Sequence, residues 1–362
     1  MCKVISVISC KGGVGKTTSA VNISSYIQMQ GKRVCVIDLD PQHNLSKHFG
    51  VFPGHLKNRP TIYDLIHEAI NYTDEESMSK MINQSIIKTS TVDVIPAVFK
   101  LNDSETELTV SLDREHQLEY IISFLKKSYD FIFIDCHTGL DLLTLNAMVA
   151  SNSVLIPVEA HVFSADGLNQ VVKMVDVVKR RLNSEIYIEG MIITKYQQNT
   201  NCCRSIFEFV DKEFGSTIKI FKDKIKYAIK LADVPAFGIS IHEYAPKSEV
   251  AIKPLLLNKI TPEEHPSFKD LKYCKSIDYV PKWRQSATVA QSEQKSESSN
   301  TKETNSKTKK PKAPKYQVQI PLPEKVSEEY IPDEEELNLS PKIDISKQID
   351  CRTLKEVDPK DI

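Results

Sequence analysis

Residues 10–18, with the sequence CKGGVGKTT, decide the fold of this chain of 362 residues. They follow a β-branched run at residues 3–8, KVISVI, which is typical of a buried parallel strand. Apolar residues then recur at helical spacing from Ala20 to Ile27. Glycines allow consecutive backbone N–H groups to face one anion, and the N-terminus of a helix adds partial positive charge. A glycine-rich loop between a strand and a helix therefore predicts a phosphate-binding loop.

Two side chains of the loop have the chemistry that a bound nucleotide requires. Lys16 is expected to reach the β- and γ-phosphates, and the hydroxyl of Thr17 is expected to ligate Mg²⁺. The loop departs from the ordinary pattern at Cys10, where that pattern has glycine, and Lys11 stands ahead of the glycines. A flexible turn with incidental lysines does not account for the strand and the helix on either side. The residues expected to bind nucleotide are Lys11, Gly12, Gly13, Val14, Gly15, Lys16, Thr17 and Thr18.

Strand-like and helix-like segments alternate along the rest of the chain. Further strands are predicted at residues 34–37, 92–96, 131–135, 154–158, 186–194 and 218–221, and helices at 61–86, 113–127, 164–182 and 205–214. This alternation predicts an α/β fold with a doubly wound, mostly parallel sheet flanked by helices.

The composition of the chain changes after Trp283. Between Val289 and Val318 there is no Val, Ile, Leu, Met, Phe or Trp. Such a segment cannot bury enough apolar surface to offset the entropy lost on ordering. We therefore expect a folded domain at residues 1–283 and a low-complexity, disordered tail at 284–362. The tail is compatible with a solvated segment and also with a short docking motif.

Charge and cysteine usage restrict the class of protein. The formal net charge is −1, so any surface that attracts nucleic acid or membrane must be local. The eight cysteines are scattered without a C-x-x-C pair. The first residues lack the layout of a signal peptide, and no apolar run is long enough to span a bilayer. We expect a reduced, cytoplasmic protein.

Carboxylates stand at the ends of two of the predicted strands. Asp38 and Asp40 follow residues 34–37, and Asp135 ends residues 131–135. Ligands of open α/β sheets bind at the carboxyl ends of strands. A phosphate–Mg²⁺ site needs carboxylates near the metal and a group that orients the attacking water. Each aspartate alone is compatible with a helix cap, but their joint placement favours such a site.

With KGGVGKTT as its loop, the chain resembles the deviant Walker A ATPases of the ParA/MinD family. The resemblance extends from about residue 3 to about residue 251 and is closest to Soj-like ParA proteins, which partition chromosomes or plasmids. It is carried by the segments DLDPQ, VDVIPA, FIFIDC, VLIPVEA, GLNQVV and IEGMIIT, in the order that the family has. The resemblance implies a P-loop NTPase fold at residues 1–283, with ATP and Mg²⁺ as cofactors.

The resemblance also implies roles for individual residues. Lys11 is expected to cross a dimer interface and contact the nucleotide of the partner. Asp40 is expected to position the hydrolytic water, and Asp38 to lie near the water shell of the metal. Asp135 is expected to hold Mg²⁺ through water. The expected catalytic residues are therefore Lys11, Lys16 and Asp40, and the expected metal-site residues are Thr17, Asp38 and Asp135.

The activity implied by the resemblance is slow, partner-stimulated ATP hydrolysis. An ATP-bound sandwich homodimer would bind DNA without sequence preference, and a ParB-like centromere-binding protein would trigger hydrolysis and release. Such a cycle segregates plasmid or chromosome copies and implies a cytoplasmic, nucleoid-associated protein with no membrane partner. The expected DNA-binding residues are Arg204, Lys226 and Lys230.

The chain departs from the family pattern at two places. Asp135 is followed by residues 136–139, CHTG, rather than by Cys-Pro-Pro, which predicts a less restrained loop. We interpret His137 as a polar residue near solvent rather than as a metal ligand or general base. Basic residues of the family are replaced at Asn199 and Tyr227. Nearby cations that could rebuild a basic patch are Arg204, Lys219, Lys222, Lys224 and Lys226.

Three functions are alternatives to DNA partitioning. A MinD-like or other cargo-positioning ATPase is the main alternative, but residues 343–362 are partly acidic and lack the apolar face of a membrane-binding helix. An iron–sulfur relative needs cysteines that bridge two subunits, and Cys136 is also common among ParA proteins. A housekeeping P-loop kinase leaves Lys11 without a role.

Overall fold

The computed structural model describes residues 2–251, except for Lys57 and residues 161–163, 198–199 and 249. The side chains of residues 164–166 and of Cys202 are also outside this description. The predicted domain boundary at residue 283 and the predicted tail, 284–362, lie outside the described residues.

One sheet of seven strands organises the described residues. The strands are β1 (Lys3–Val7), β2 (Val34–Leu39), β3 (Ile87–Lys88), β4 (Asp93–Ile95), β5 (Phe131–Cys136), β6 (Ser153–Glu159) and β7 (Tyr187–Thr194). Their order across the sheet is β3-β4-β2-β5-β1-β6-β7, and all pairs are parallel except β3 with β4. The predicted doubly wound, mostly parallel sheet is confirmed.

Helices cover both faces of the sheet. They are α1 (Lys16–Met29), α2 (Asn44–His48), α3 (Pro53–Leu56), α4 (Ile62–Ile70), α5 (Glu75–Ser85), α6 (Asp103–Val110), α7 (Gln117–Leu125), α8 (Leu142–Ala150), α9 (Ser164–Arg181), α10 (Asn201–Phe214), α11 (Lys230–Phe237) and α12 (Ile241–Tyr244). A 3₁₀ turn at Phe99–Asn102 leads into α6.

Alternate residues of the central strands build two cores. Ile5 and Phe133 pack on the face that α1 covers, in one cluster of buried side chains. Val4 and Ile134 belong to a second cluster, which includes residues of α4, α7, α8 and α9. Successive side chains of a strand point to opposite faces, so a sheet buried on both sides needs continuous apolar strands.

Two predicted helices differ from those of the structure. Residues 61–86 form α4 and α5 rather than one helix, because Tyr72 has a positive φ of 55° and the Asp74 carboxylate caps α5 by accepting from the Ser77 amide. Residues 113–127 were predicted as helical, but α7 starts only at Gln117, and Asp113 has a φ of 48°. Left-handed residues are incompatible with a continuing right-handed helix.

The strand predicted at residues 218–221 is wrong. The described residues form only an isolated bridge there, between Met191 and Ile220. The Met191 amide donates to Lys219 O at 2.8 Å, and the Phe221 amide donates to Met191 O at 3.0 Å. The segment therefore lies against β7 without continuing the sheet.

Gly190 of β7 makes this close approach sterically possible. Its φ is 154°, and a Cβ built there would lie 2.7 Å from Phe221 Cε2 and 2.8 Å from Lys219 O. Gly190 also follows a register shift between β6 and β7. The absence of a side chain at this residue is therefore a packing requirement.

We predict that Gly190→Ala lowers the free energy of unfolding by about 1–3 kcal/mol, because the new methyl overlaps backbone and ring atoms. Chemical denaturation measures the change. Gly54→Ala is the matched control: a Cβ at Gly54 meets nothing within 4 Å. An equal effect of the two substitutions would contradict the packing argument.

Candidate functional site

The glycine-rich loop joins β1 to α1, and two of its glycines have left-handed backbone angles. Gly13 has a φ of 72°, and Gly15, just before α1, has a φ of 89°. Glycine adopts these left-handed values at little cost. The Thr194 hydroxyl, at the end of β7, donates to Val14 O at 2.7 Å and ties the loop to the sheet. Turns that contain such residues are of the kind in which successive N–H groups can face one anion.

Lys16 is a buried cation at the first position of α1. Only 7% of the residue is exposed. Its Nζ donates to the Thr138 hydroxyl at 2.9 Å. Burial lowers the pKa of Lys16, and the charge of Asp135 acts in the opposite direction. An anion bound in the loop would stabilise this ammonium group.

Asp38 and Asp135 form a buried carboxylate pair on neighbouring strands. They stand opposite each other in the register of β2 with β5, and both residues are fully buried. Asp38 Oδ2 accepts from the Ser46 amide at 2.8 Å and from the Ser46 hydroxyl at 2.6 Å. Burial raises the pKa of Asp38 to about 7 despite these hydrogen bonds. Burial, with the nearby charge of Asp38, raises the pKa of Asp135 well above its usual range.

Asp135 differs from Asp38 in its hydrogen bonding. Within the described part of the chain, no hydrogen bond of standard geometry reaches either of its carboxylate oxygens. The Thr17 hydroxyl acts on the carboxyl and lowers its pKa, against the effect of burial. A buried carboxylate and a hydroxyl are hard oxygen donors of the kind that Mg²⁺ prefers. Thr17 and Asp135 therefore fit a magnesium ion, whereas Asp38 is already hydrogen-bonded.

Asp40 lies in a tight turn directly after β2. Its Oδ1 accepts from the Gln42 amide at 2.9 Å, and its carbonyl accepts from the His43 amide at 2.8 Å. His43 has a φ of 46°, which is unusual for a residue other than glycine. The Asp40 side chain is half-buried at the carboxyl edge of the sheet. This edge also holds the glycine-rich loop.

Lys11 has surroundings different from those of Lys16. Its Nζ pairs with Glu159 Oε2 at 2.6 Å, and 32% of its side chain is exposed. Glu159, at the end of β6, also pairs through Oε1 with Lys195 Nζ at 3.4 Å. Burial would raise the pKa of Glu159, but the hydrogen bond and charge of Lys11, together with Lys195, lower it. The sequence analysis did not identify Glu159 or Lys195 as site residues. Glu159 is the last residue of the apolar strand β6, and Lys195 directly follows the apolar strand β7.

His137 and Asp141 restrain the loop that follows β5. His137 Nε2 is paired with Asp141 Oδ2, and 17% of the His137 side chain is exposed. Asp141 Oδ1 also accepts from the Thr144 amide at 3.0 Å and caps α8. The other ring nitrogen, Nδ1, is buried without a hydrogen-bond partner among the described residues. His137 is thus a partly exposed polar residue of this loop, and its pairing with Asp141 restrains the loop where the family has prolines.

A cavity of about 280 Å³ opens beside the glycine-rich loop. Gly15 and Thr18 line it on the side of the loop, and Thr194 and Lys195 line it from the end of β7. The rest of its wall is Ile225, Lys226, Tyr227, Ala228, Ile229, Leu231 and Ala232. This wall was missed from the sequence, because the segment lies far from the loop along the chain.

The expected DNA-binding residues lie on exposed or half-exposed segments. Arg204 is exposed on α10, with its guanidinium 3.1 Å from Asn201 Oδ1. Lys230 is exposed at the start of α11, and Lys226 lines the cavity wall. Lys224 Nζ lies 3.4 Å from the centre of the Phe207 ring and is held there. Asn199, where a family cation is replaced, lies outside the described residues.

The described residues restrict the kind of site in two respects. Within residues 2–251, apart from the gaps already named, no group of three or more His, Cys, Asp or Glu is arranged to hold a metal ion. In that part of the chain, no helix has the length and apolar character needed to cross a membrane. Cys136, which the iron–sulfur alternative would use, is 1% exposed.

Comparison with known proteins identifies relatives that match nearly over their whole length. A family model described as an AAA domain matches residues 2–188. The sporulation initiation inhibitor protein Soj of Bacillus subtilis is 36% identical over 254 residues, which cover 69% of this chain and 94% of that protein. The chromosome-partitioning ATPase Soj of Treponema pallidum is 34% identical over 247 residues, covering 67% of this chain and 90% of that protein.

Solved structures share the fold. A putative plasmid partition protein of Borrelia burgdorferi, bound to AMPPNP, superposes with a TM-score of 0.57 at 24% identity, over 72% of this chain and 100% of that chain. Cobyrinic acid a,c-diamide synthase of Mycobacterium smegmatis, bound to an ATP analogue and magnesium, gives 0.59 at 24% identity, over 70% and 90%. At these identities the likeness establishes the architecture.

We predict that the His137–Asp141 pair stabilises the fold in a pH-dependent way. Burial would lower the pKa of His137, but the hydrogen bond and charge of Asp141 raise it above its ordinary value. The stabilisation is therefore full below about pH 6.5 and is lost as the pH rises through the raised pKa. Asp141→Asn keeps a capping side chain and removes the charge. It should lower the free energy of unfolding by about 1 kcal/mol at pH 6 and by less at pH 9.

Asp74→Asn provides the matched control, since Asp74 caps α5 by accepting from the Ser77 amide at 3.0 Å. Its effect on denaturant unfolding should not change between pH 6 and pH 9, where Asp74 stays ionised. Equal losses for Asp141→Asn at the two pH values would contradict the role given to the pair.

Proposed function

The chain belongs to the ParA/MinD family of P-loop ATPases, and we propose that it is a DNA-partitioning ATPase whose ATP-bound homodimer binds DNA without sequence preference. A ParB-like centromere-binding protein would trigger hydrolysis and release, and repeated cycles would move plasmid or chromosome copies apart. In this proposal hydrolysis is slow, Mg²⁺-dependent and partner-stimulated. The protein would act in the cytoplasm, in association with the nucleoid and without a membrane partner.

The different surroundings of the two loop lysines carry this proposal. Lys16 is buried and feels the charge of Asp135, whereas Lys11 pairs with Glu159 and has a partly exposed side chain. The partly exposed side chain of Lys11 is accessible to a second subunit, whereas that of Lys16 is enclosed. A role toward the nucleotide of a second subunit explains Lys11, and this supports the sandwich dimer.

The triphosphate of ATP would lie in the glycine-rich loop. Lys16 would exchange the Thr138 hydroxyl for phosphate oxygens, since hydrogen bonds between charged groups are the stronger ones. Bound Mg²⁺ would withdraw negative charge from the phosphates. Thr17 and Asp135 would hold the ion, and Asp38 would act through its water shell. Within the described residues no hydrogen bond of standard geometry reaches the oxygens of Asp135, which supports this assignment.

Asp40 is proposed to orient the attacking water. Phosphoryl transfer leaves little covalent chemistry to the protein, so catalysis is mainly positioning and neutralisation of charge. The turn from Asp40 to His43 fixes the Asp40 backbone at the carboxyl edge of the sheet. Lys16 in the same subunit and Lys11 from the partner would neutralise the charge that develops on the phosphates.

The cavity beside the loop is proposed to take the base of the nucleotide. Its wall includes apolar side chains such as Ile225, Tyr227 and Leu231, which suit a planar ring. Gly15 and Thr18 connect this wall to the phosphate-binding loop. The base and the phosphates would thus be bound by neighbouring parts of one groove.

DNA binding is proposed to use Arg204, Lys226 and Lys230. Nonspecific affinity for DNA comes from lysine and arginine contacts with phosphates, and a small number of such contacts is sufficient for weak, salt-dependent binding. The net charge of −1 means that the attraction must come from this local surface rather than from the whole molecule.

We predict that replacing Lys16 and replacing Lys11 cause different losses, one of nucleotide binding and the other of dimer formation. Lys16→Ala should abolish binding of ADP and ATP, because its charge lies in the phosphate site. Lys11→Ala should keep ADP affinity within about threefold and abolish the dimer that a non-hydrolysable ATP analogue induces in the wild type. Fluorescent-nucleotide titration and light scattering after size exclusion measure the two properties.

Lys32→Ala, at an exposed lysine after α1, is the control and should behave as the wild type in both assays. A wild-type protein that stays monomeric at saturating analogue would overturn the proposed function. So would a Lys11→Ala protein that dimerises as well as the wild type.

We also predict that the ATP-loaded protein binds any DNA duplex and that salt weakens the binding. Replacing both Lys226 and Lys230 by alanine should lower affinity and make the slope of log K against log salt shallower by about 2. The control is the double replacement of Lys80 and Lys88, exposed lysines of α5 and β3. Nucleotide affinity is measured in parallel, because Lys226 lines the cavity.

If the ATP-loaded protein has no affinity for DNA at low salt, the DNA-partitioning proposal is contradicted. Flotation with anionic liposomes in the presence of ATP then tests the MinD-like alternative, which requires a membrane surface. Binding to liposomes but not to duplex would favour that alternative.

A further inference from the structure

Glu159 is shared by two lysines that come from different loops. Lys11 reaches it from the loop after β1 at 2.6 Å, and Lys195 reaches it from the end of β7 at 3.4 Å. The side chain of Glu159 is 19% exposed and that of Lys195 is 42% exposed. Two ammonium groups thus share one carboxylate beside the phosphate-binding loop, which leaves local positive charge for an anionic ligand.

The backbone holds Lys195 in an unusual conformation. Its φ is 50°, a left-handed value that costs a residue with a Cβ about 1–2 kcal/mol. Hydrogen bonds on both sides fix it: Thr194 Oγ1 donates to Val14 O at 2.7 Å, and the Tyr196 amide donates to Ile225 O at 3.0 Å. Such strain persists only where the surroundings determine the conformation, and it is frequent at ligand sites.

The Lys195 side chain lies between the phosphate loop and the cavity. Its Nζ is 3.9 Å from the position that a Cβ on Gly13 would occupy. Lys195 also lines the cavity together with Gly15 and Thr18. One end of the side chain therefore approaches the glycines of the loop, while the residue forms part of the wall proposed for the base.

We propose that Lys195 is a further nucleotide-binding residue, which contacts the junction of the α-phosphate and the sugar in its own subunit. The inference rests on the proposed function, since it assumes a nucleotide in this groove. When the nucleotide binds, Lys195 exchanges the Glu159 carboxylate for oxygens of the ligand. Lys11 and Lys195 thus have separate roles, because Lys11 serves the partner's nucleotide and Lys195 serves its own.

The attachment of the neighbouring Thr194 to the loop favours binding within one subunit. The Thr194 hydroxyl donates to Val14 O, so Lys195 follows a residue that is tied to the phosphate-binding loop of its own chain. ADP and ATP share the α-phosphate and the sugar. A contact at that junction therefore strengthens the binding of both nucleotides equally, and it does so in the monomer.

Lys195→Met tests this inference, because methionine keeps a long unbranched side chain and removes the charge. We expect ADP to bind about tenfold more weakly to this variant, and ATP to be weakened by the same factor under conditions in which the protein is monomeric. Lys195→Arg should restore affinity to within about threefold of the wild type. Lys212→Met, at an exposed lysine of α10, is the matched control and should bind as the wild type does.

Titration with a fluorescent ADP provides the measurement, and thermal unfolding of each variant shows that it is folded. If Lys195→Met binds ADP like Lys212→Met, the inference is wrong. A loss restricted to ATP and to the dimer would also overturn it, since that would place Lys195 at the subunit interface. A wild-type protein that binds no nucleotide would instead refute the proposed function itself.

Glu159→Gln supplies a second, independent measurement. Removing the competing charge should strengthen ADP binding severalfold when Lys195 is present, and by clearly less in the Lys195→Met background. Equal effects in both backgrounds would mean that Glu159 acts without Lys195, and the exchange of partners would be wrong.

Discussion

The parallel pairing of β1 between β5 and β6 is the constraint on which the site depends. Because β2, β5, β1, β6 and β7 run in one direction, the segments that follow them meet at one edge of the sheet. At this edge Lys16 donates a hydrogen bond to the Thr138 hydroxyl, and Lys11 forms an ion pair with Glu159. These contacts join residues more than 120 positions apart in the chain. No single segment of the chain contains the site. The order of the strands in the sheet brings its residues together.

Electrostatics give this edge its preference for ligands. Burial disfavours charge on Asp38, Asp135 and Lys16 alike, so the pKa values of the two aspartates are raised and that of the lysine is lowered. Two carboxylates in register repel each other, and a buried pair of opposite charge does not by itself offset its desolvation. The arrangement is stabilised when a cation approaches Asp135 and an anion approaches Lys16. Strongly perturbed groups in one crevice are typical of functional sites rather than of structural ones.

The sequence alone was sufficient to predict those features of the structure that depend on a short run of neighbouring residues. The β-branched runs of β1, β2, β5, β6 and β7 and the glycines of the loop depend on local pattern, and all were predicted. The predicted strand at 218–221 was wrong because its apolar pattern reflects packing against Gly190 rather than ladder pairing. Glu159 and Lys195 could not be predicted as partners, because their contact depends on the register of β6 with β7.

The lysines around the loop already have partners in the isolated chain, and this changes how binding should be understood. Lys16 is held by a hydroxyl, and Lys11 and Lys195 share a carboxylate, so a ligand must replace these groups rather than fill empty positions. Each replacement alone yields a small net free energy, because one hydrogen bond is exchanged for another. A small anion that displaces a single partner therefore gains little. A ligand whose linked anionic groups displace several partners at once pays the entropy of association only once and gains at every exchange. The same carboxylate links the two lysines that share it: when Lys11 leaves Glu159, Lys195 is drawn more strongly to that carboxylate.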